Sequence, residues 1–330
     1  MSSQPEPALP CLALVVPCYN EQEVLAETHA RLRALYAELI DGKRIAGDSR
    51  IYFVDDGSGD ATWSLIEELA GDCPHSVGIK LSRNRGHQHA LLAGLLLAEG
   101  DAIISLDADL QDDIRAIPEM LEHFSQGKDV VYGIRRNRGV DTAFKRLSAL
   151  AFYRFMHLMG TEVIENHADF RLISRRAVDH LREFGEVNLF LRGIIPLLGF
   201  PSAEVYYDRH ERHAGQSHYP LRRMLSLALD GVTSFSIVPL RVISVMGFVI
   251  FALTSLMSTW VLAVAVFGDS AVPGWASTVL PSYFLGGVQI LCLGVIGEYL
   301  GKMYGELKQR PRFIVETRTD AGAVDSPALR

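Results

Sequence analysis

A chain of 330 residues admits one large domain or two modest ones, and its hydrophobic fraction of 48% is ordinary for a soluble protein, although the apolar residues concentrate after residue 240. A net charge of -7 gives no global basic character and excludes a general nucleic-acid binder. Four cysteines, Cys11, Cys18, Cys73 and Cys292, form no CxxC pair or regular framework, which argues for unpaired thiols and against structural zinc.

Residues 1–10 lack the basic start and apolar run of a secretory signal and read as a disordered tail. From there short apolar runs alternate with amphipathic stretches. Candidate strands are Leu12–Val16, Ile51–Val54, Val77–Leu81, Ala102–Leu106 and Val130–Tyr132. Candidate helices are Gln22–Leu39, Ala61–Ala70, His89–Ala98, Ile114–Phe124 and Thr142–Leu158. This rhythm predicts an α/β fold with a mostly parallel sheet, in which ligands bind beyond the C-terminal ends of the strands. Polar clusters stand at those ends: Tyr19-Asn20-Glu21, Asp55-Asp56-Gly57-Ser58, Arg83-Asn84 and Asp107-Ala108-Asp109. The following region is mixed, with Asp169-Phe170-Arg171-Leu172, a helical stretch Arg175–Phe184, a strand Ser202–Tyr207 and a polar loop Asp208–His218.

Tyr219–Phe235 sets Arg222 and Arg223 beside an apolar stripe. That pattern suits a helix lying in a membrane interface, and equally a core helix of a soluble domain. Val242–Phe267 and Ser270–Gly297 are uncharged but for Asp269 between them, and each exceeds the ~20 residues that cross a hydrocarbon core. Lys and Arg flank the outer ends and are missing from the connection, so the positive-inside rule places the α/β domain and both termini in the cytoplasm, on a multi-pass chain in the cell (inner) membrane. Gly297-xxx-Gly301 permits close helix approach, either between the two spans or in a homo-oligomer. The expected division is a catalytic domain over 11–218, an interfacial amphipathic helix over 219–240, two transmembrane helices over 241–301, and a cytoplasmic tail over 302–330 that is polar and disordered after Pro311.

Two carboxylates two residues apart on an extended strand face one way and repel unless a cation or proton intervenes. Asp107 and Asp109 therefore point to a hard divalent cation with open positions for phosphate, Gln111 adding a neutral oxygen. An EF-hand is excluded, since Asp112 and Pro118 stand where its glycine and final glutamate belong. Asp55-Asp56-Gly57-Ser58 reads as a turn leading to a helix N-cap, or as an acidic contact to a base or ribose. Neither a GxGxxG nor a GxxxxGK[ST] stretch occurs. His210, His213 and His218 lie close together without cysteine or helical pairing, and a zinc site there is disfavoured.

Pro17-x-Tyr19-Asn20-Glu21, Val54-Asp55-Asp56-Gly57-Ser58-x-Asp60-x-Thr62, Arg83-Asn84-x-Gly86, Asp107-x-Asp109-Leu110-Gln111 and Asp169-Phe170-Arg171-Leu172 occur in the order of glycosyltransferase family 2. The chain resembles its polyprenol-phosphate sugar transferases from Leu12 to Arg312, including the two C-terminal spans. That resemblance implies a GT-A type nucleotide-sugar transferase domain and Mg²⁺ or Mn²⁺ as cofactor. It implies a base and ribose pocket lined by Pro17, Tyr19, Asn20, Glu21, Val54 and Asp56, and a diphosphate touching Asp107, Ala108 and Asp109, the metal being held by Asp109 and Gln111 with Asp107. Arg135 resembles an arginine near the phosphates, and Asp169 an acid beside the reacting centre, with Arg171 next to it. Arg209, Arg212 and Ser217 resemble a loop that closes over the site. That loop has His218 where the family usually has lysine, and His89 stands where a small residue is more usual.

The implied reaction is one in-line displacement with inversion, moving a sugar from a nucleotide-sugar to a polyprenyl phosphate that stays in the bilayer. By resemblance the donor is UDP-glucose and the lipid undecaprenyl phosphate. UDP-aminoarabinose derivatives, UDP-N-acetylglucosamine and GDP-mannose are the alternative donors. Because a phosphate monoester is already largely ionised, Asp169 serves as a base or orients the acceptor through Arg171, the second being favoured. Arg222 and Arg223 attract the lipid phosphate or act only as positive-inside anchors. A processive polysaccharide synthase would call for a Gln-x-x-Arg-Trp motif, which is missing. A non-catalytic adaptor would not need the intact Asp107, Asp109, Asp169 and Arg212.

Overall fold

The computed structural model of the protein describes residues 9–136, 167–186, 191–208 and 275–320, with isolated positions between 240 and 259. The expected helix Thr142–Leu158, the loop residues Arg209, Arg212, Ser217 and His218, the interfacial helix and most of the first apolar span lie outside the described residues. The chain divides into two compact units, one formed by Met1–Ala149, Val163–His218 and Gln309–Arg330, the other by Leu150–Glu162 and Tyr219–Lys308.

The first unit is built on an eight-stranded sheet of order β7-β5-β6-β4-β1-β2-β3-β8. Its strands are β1 (Leu12–Cys18), β2 (Arg50–Asp55), β3 (Ser76–Leu81), β4 (Ala102–Ser105), β5 (Val130–Arg135), β6 (His167–Ser174), β7 (Ser202–Tyr207) and β8 (Val315–Arg318). β1 to β4 are mutually parallel and β7 is parallel to β5, whereas β6 runs antiparallel to β4 and β5, and β8 antiparallel to β3. The mostly parallel sheet expected from the β-α-β rhythm is therefore present. β1, Leu-Ala-Leu-Val-Val-Pro-Cys, is buried along its whole length, as a central parallel strand covered on both faces must be.

The connections are α1 (Leu25–Asp41), α2 (Thr62–Asp72), α3 (His87–Leu97), a 3₁₀ turn at Ile114–Ala116 and α4 (Ile117–Ser125). α5 (Arg175–Leu181) and α6 (Leu191–Leu197) follow later in the chain. α1 buries Leu25, Thr28, Leu32, Leu35, Tyr36 and Leu39, the three-and-four spacing of one helical face. The Tyr36 hydroxyl ends in the core and donates to the Arg50 carbonyl at 2.8 Å. α3 is apolar nearly all round, and from Ala90 to Leu96 every residue is buried. A Cβ on Gly94 would lie 2.2 Å from Val15 Cγ1 and 2.9 Å from Val54 Cγ2, so only glycine lets α3 come this close to β1 and β2.

Two findings differ from the sequence reading. Asp169–Leu172, to which no element was given, lies in β6 within the sheet. The segment after Pro311, expected as a disordered tail, instead supplies β8. Its Thr319 exchanges hydrogen bonds with Gly78, Oγ1 accepting from the Gly78 N–H at 2.8 Å and the Thr319 N–H donating to the Gly78 carbonyl at 3.0 Å. Asp320 holds Arg318 at 2.8 Å. Polar composition alone suggests solvation, but these partners are 241 positions away and invisible to a local reading.

In the second unit α7 (Trp275–Leu307) spans 33 residues. It exposes Ile290, Leu293, Leu300, Met303 and Leu307. Among the described residues no helix is long and apolar enough to cross a membrane.

Candidate active site

The strand order places β1 between β2 and β4, the switch point beyond whose C-terminal end ligands bind in open α/β sheets. The loops beyond that strand end are tied to one another by the polar residues that mark the strand ends. Asn20, with φ of 55°, donates its N–H to Ser58 Oγ at 3.0 Å and accepts at Oδ1 from the Gly59 N–H at 2.9 Å. The Glu21 N–H donates to Thr62 Oγ1 at 2.9 Å. Asp56, 2% exposed, accepts from the backbone N–H groups of Arg85 at 2.7 Å and Gly86 at 2.8 Å. Its carboxylate thereby fixes the loop between β3 and α3. Gly57, with φ of 68°, has no room for a Cβ, which would sit 2.6 Å from the Asn84 nitrogen. Asp55 accepts from the Ser58 N–H, while Asp60 accepts from Gln22 and Thr62.

The acids of Asp107-x-Asp109 follow β4 directly. Ser105 pairs with Arg171 in the antiparallel β4–β6 register. Two residues onward on one strand and two back on the other bring Asp107 and Asp169 to the same edge. His87, the first residue of α3, lies between them, with Nε2 3.6 Å from Asp107 Oδ1 and 3.4 Å from Asp169 Oδ2. Burial pushes the Asp107 carboxyl up to about 6; His87 pulls it down, and Asp169, Asp112 and Asp109 push it further up. Asp169 is also penalised by burial, but the hydrogen bond from His87 and the charges of Arg171 and Arg192 outweigh that and hold it well below the usual carboxylate range. Burial lowers His87, and the two carboxylates more than restore it, so its pKa is raised. Two acids on one edge thus differ in proton affinity, the arrangement expected where charge is managed during a reaction.

Asp109 accepts from the Gln111 N–H at 3.2 Å. Leu110 between them has φ of 49°, a left-handed conformation rarely adopted by a branched side chain and a sign of strain held by its surroundings. Ala108 is fixed through its carbonyl, which accepts from Thr28 Oγ1 of α1 at 2.6 Å. Asp107, Asp109 and the Gln111 amide offer oxygen donors of the kind a hard divalent cation takes; burial is the main cause that raises Asp107, and the repulsion from Asp169, Asp112 and Asp109 that adds to it is what such a cation relieves. Among the described residues no group of three or more His, Cys, Asp or Glu is arranged to hold a metal.

Arg135 ends β5 beside this edge. Its Nε and Nη2 donate to Asp112 Oδ1 at 3.2 Å and 2.9 Å, and the Tyr207 hydroxyl donates to the same oxygen at 2.6 Å. Asp112 Oδ2 is buried without a hydrogen-bond partner among the described residues.

Of the residues expected at the site, Tyr19, Asn20, Glu21, Asp107, Ala108, Asp109 and Gln111 lie beyond the ends of β1 and β4, and Pro17 and Val54 are buried in β1 and β2. Tyr19 is 49% exposed, whereas Asp56 is withdrawn into the loop contact described above. Asp169 and Arg171 stand on β6 with Arg135 at the end of neighbouring β5. Sequence reasoning missed His87, Gln88, Arg192, Asp112 and Tyr207. His87 and Gln88 follow the Arg83-Asn84 strand end and open a helix, a position that could have marked them. Arg192 carries no motif, and only the tertiary fold brings it to Asp169.

A mostly parallel sheet with an acid-bearing turn beyond the strand ends is an α/β fold of the GT-A-like kind. The chain belongs to glycosyl transferase family 2, whose family model matches residues 13–182. It is 48% identical over 309 residues to "Uncharacterized glycosyltransferase YkoT" of Bacillus subtilis, covering 93% of this chain and 91% of that one. It is 39% identical over 306 residues to the SfII prophage-derived bactoprenol glucosyl transferase of Shigella flexneri, covering 92% and 97%. It is 38% identical over 306 residues to the prophage bactoprenol glucosyl transferase homolog of Escherichia coli, covering 92% and 98%. The protein is therefore a glycosyltransferase enzyme.

Proposed function

We propose that the enzyme transfers glucose from UDP-glucose to undecaprenyl phosphate at the cytoplasmic face of the inner membrane, with inversion at the anomeric carbon. The observation that carries this reading is the meeting of Asp107 and Asp169 at one sheet edge, in a chain whose relatives include some named bactoprenol glucosyl transferases. An oxygen of the lipid phosphate attacks the anomeric carbon, the bond to the donor diphosphate breaks, and the nucleoside diphosphate leaves with the electron pair. The acceptor oxygen is already ionised near neutrality, so the main demand is to stabilise charge growing on the leaving group. Asp107, Asp109 and Gln111 would hold Mg²⁺ or Mn²⁺, which when bound supplies that positive charge. Arg135, held by Asp112 and Tyr207, presents a second cation beside the same edge. Arg209, Arg212 and Ser217 belong to the proposed closing loop, and Tyr19, Glu21 and Val54 to the proposed nucleotide pocket.

Membrane attachment through Val242–Phe267 and Ser270–Gly297 is part of the proposal. It is supported by the uncharged composition of both stretches and by the exposed apolar side chains of α7. The reading is tested with the purified full-length protein in lipid nanodiscs, given divalent cation, undecaprenyl phosphate and a panel of radiolabelled nucleotide-sugars. The expected result is glucose label in the lipid phase with UDP-glucose. Label in a soluble polymer, or no turnover with any donor, overturns it. Label from another donor corrects the sugar alone.

A further inference from the structure

The C-terminal segment reaches past the sheet it completes. Beyond the β3–β8 pairing, the Ile314 carbonyl accepts from the Ser82 N–H at 2.9 Å, at the start of the loop that joins β3 to α3. On the same segment, Arg312 Nη1 donates to the Phe184 carbonyl at 2.5 Å, just after α5 and 128 positions away in sequence. Arg182, at the end of α5, donates from Nη2 to the Leu96 carbonyl at 3.2 Å, in the last turn of α3. The contacts form a closed circuit. It runs from segment 312–318 to the β3–α3 loop, along α3 to Arg182 and Phe184, and back to Arg312.

The start of α3 depends on such a hold. Close packing at Gly94 sets the depth of the helix against β1 and β2, and its nearly all-apolar surface adds no directional contact. Among the described residues no side chain caps its N-terminus. Yet its first turn carries His87, whose Nε2 is 3.6 Å from Asp107 Oδ1 and 3.4 Å from Asp169 Oδ2. It also carries Gln88, whose Nε2 donates to Asp169 Oδ2 at 3.4 Å and whose Oε1 accepts from the Leu191 N–H at 3.1 Å. The contacts to the two acids are long, so a small shift of the turn would lose them. The loop before the turn is fastened on one side by Asp56, which accepts from Arg85 and Gly86, and on the other by the Ile314 carbonyl. In the same turn burial lowers the pKa of His89 and the charges of Arg85 and Arg312 lower it further, against Asp56 and the Arg85 backbone. The Arg312 charge is thus felt at the turn itself.

We propose that Arg312 is a positioning residue for the transfer reaction: by holding the C-terminal segment to Phe184 it keeps the β3–α3 loop, and with it His87 and Gln88, in place against Asp107 and Asp169. The proposal rests on the transfer reading given above, because it takes the edge where those two acids meet as the place of reaction. Arg312 acts through the loop and not on the substrates. A displacement of about 1 Å set up far from the chemistry can cost on the order of 10²-fold in rate.

The test compares full-length wild type with Arg312→Ala, Arg312→Gln, Arg312→Lys and Glu316→Ala in lipid nanodiscs. Glu316 pairs with Lys80 at 3.3 Å on the same segment and at an exposed site, so its loss controls for a broken ion pair with the circuit intact. Hydrogen exchange over residues 82–90 is measured beside thermal melting and steady-state kinetics, the kinetics at a temperature where every variant is folded. Arg312→Ala is expected to exchange faster over 82–90 and to lower kcat by about tenfold or more, with the UDP-glucose KM within about twofold. Arg312→Lys, which keeps a charged donor, recovers part of kcat, and Glu316→Ala matches wild type. A lower melting temperature at unchanged kcat would make Arg312 merely structural, and a raised donor KM at unchanged kcat would place its effect on donor binding; either result overturns the proposal. So does a fall in kcat without faster exchange. If Arg312→Ala fails to fold, Arg312→Gln decides, and a wild-type kcat in that variant overturns the assignment. If wild type makes no lipid-linked glucose, the transfer reading fails, whereas transfer by wild type that every Arg312 variant equals sinks only the positioning role.

Discussion

Arg135 and Tyr207, register partners across the parallel β5–β7 pair, converge on a single oxygen of Asp112. Burial opposes the charge on Arg135, but Asp112 and Tyr207 outweigh it and keep the guanidinium more firmly protonated than usual. Tyr207→Phe removes one neutral-to-charged bond and is expected to cost about 1–3 kcal/mol. Asp112→Ala strands the cation and is expected to cost more, about 3–5 kcal/mol. Thermal melting checks the order of the two. The donor KM is expected to rise in both, since Arg135 loses its orientation; an unchanged donor KM in a destabilised Asp112→Ala protein would detach Arg135 from the phosphates.

Gly94→Ala sets two effects against each other. Alanine improves helix propensity by about 1 kcal/mol. The new Cβ meets Val15 and Val54 at 2.2 Å and 2.9 Å, and neither β-branched side chain can turn away within a buried strand. Overpacking of this kind costs about 1–3 kcal/mol, so the substitution is expected to lower the melting temperature. A rise would show that α3 can lift off the sheet.

Acid stability has an identifiable contributor remote from the active edge. Asp129 is 7% exposed, and Ser174 Oγ donates to it at 2.7 Å beside Arg176. Burial pushes its carboxyl up, but the hydrogen bonds from Arg176 and Ser174 and the charge of Arg176 prevail and hold it below the ordinary value. A depressed folded pKa contributes stability that is fully present above the unfolded value of about 3.9 and is lost as pH falls through the folded one. Asp129→Asn should lower stability at neutral pH and flatten its decline toward acid. Melting curves across that range check the sign; an unchanged acid limb would remove Asp129 from the account.

Cation dependence is the sharpest chemical expectation. Asp109→Ala is expected to reduce transfer by about 10²–10³-fold, the effect of removing one preorganised electrostatic stabiliser. Excess chelator should do the same to wild type, with activity returning on addition of Mg²⁺ or Mn²⁺. Full turnover in excess chelator would take the cation out of the mechanism.

Much of this architecture was readable because the signals are local. Leu12–Val16 and Ala102–Leu106 are apolar runs ended by polar residues, and they are β1 and the β4 segment that leads into Asp107. Asp107-x-Asp109 was legible as two like charges in need of a counter-charge, although the structure places them past the end of β4, with Asp109 in a turn, and not on one extended face. Asp56 was legible as important, but its role as the acceptor for Arg85 and Gly86 depends on a loop almost thirty residues onward, which no turn pattern displays. Arg192 was illegible for the same reason, since an isolated arginine at the start of a short helix resembles any solvated one. The antiparallel direction of β6, which delivers Asp169 to Asp107, is likewise a property of pairing and not of the strand's own residues.

Strand β8 carries a consequence for how the protein is made. It pairs with β3, yet the whole of Tyr219–Lys308 is synthesised between the two. While the ribosome is still producing those residues, the β3 edge has no partner and stands open to other strands. Closure of the catalytic sheet therefore waits until residues 315–318 emerge. A chain cut short before that point would leave the outer edge of β3 bare.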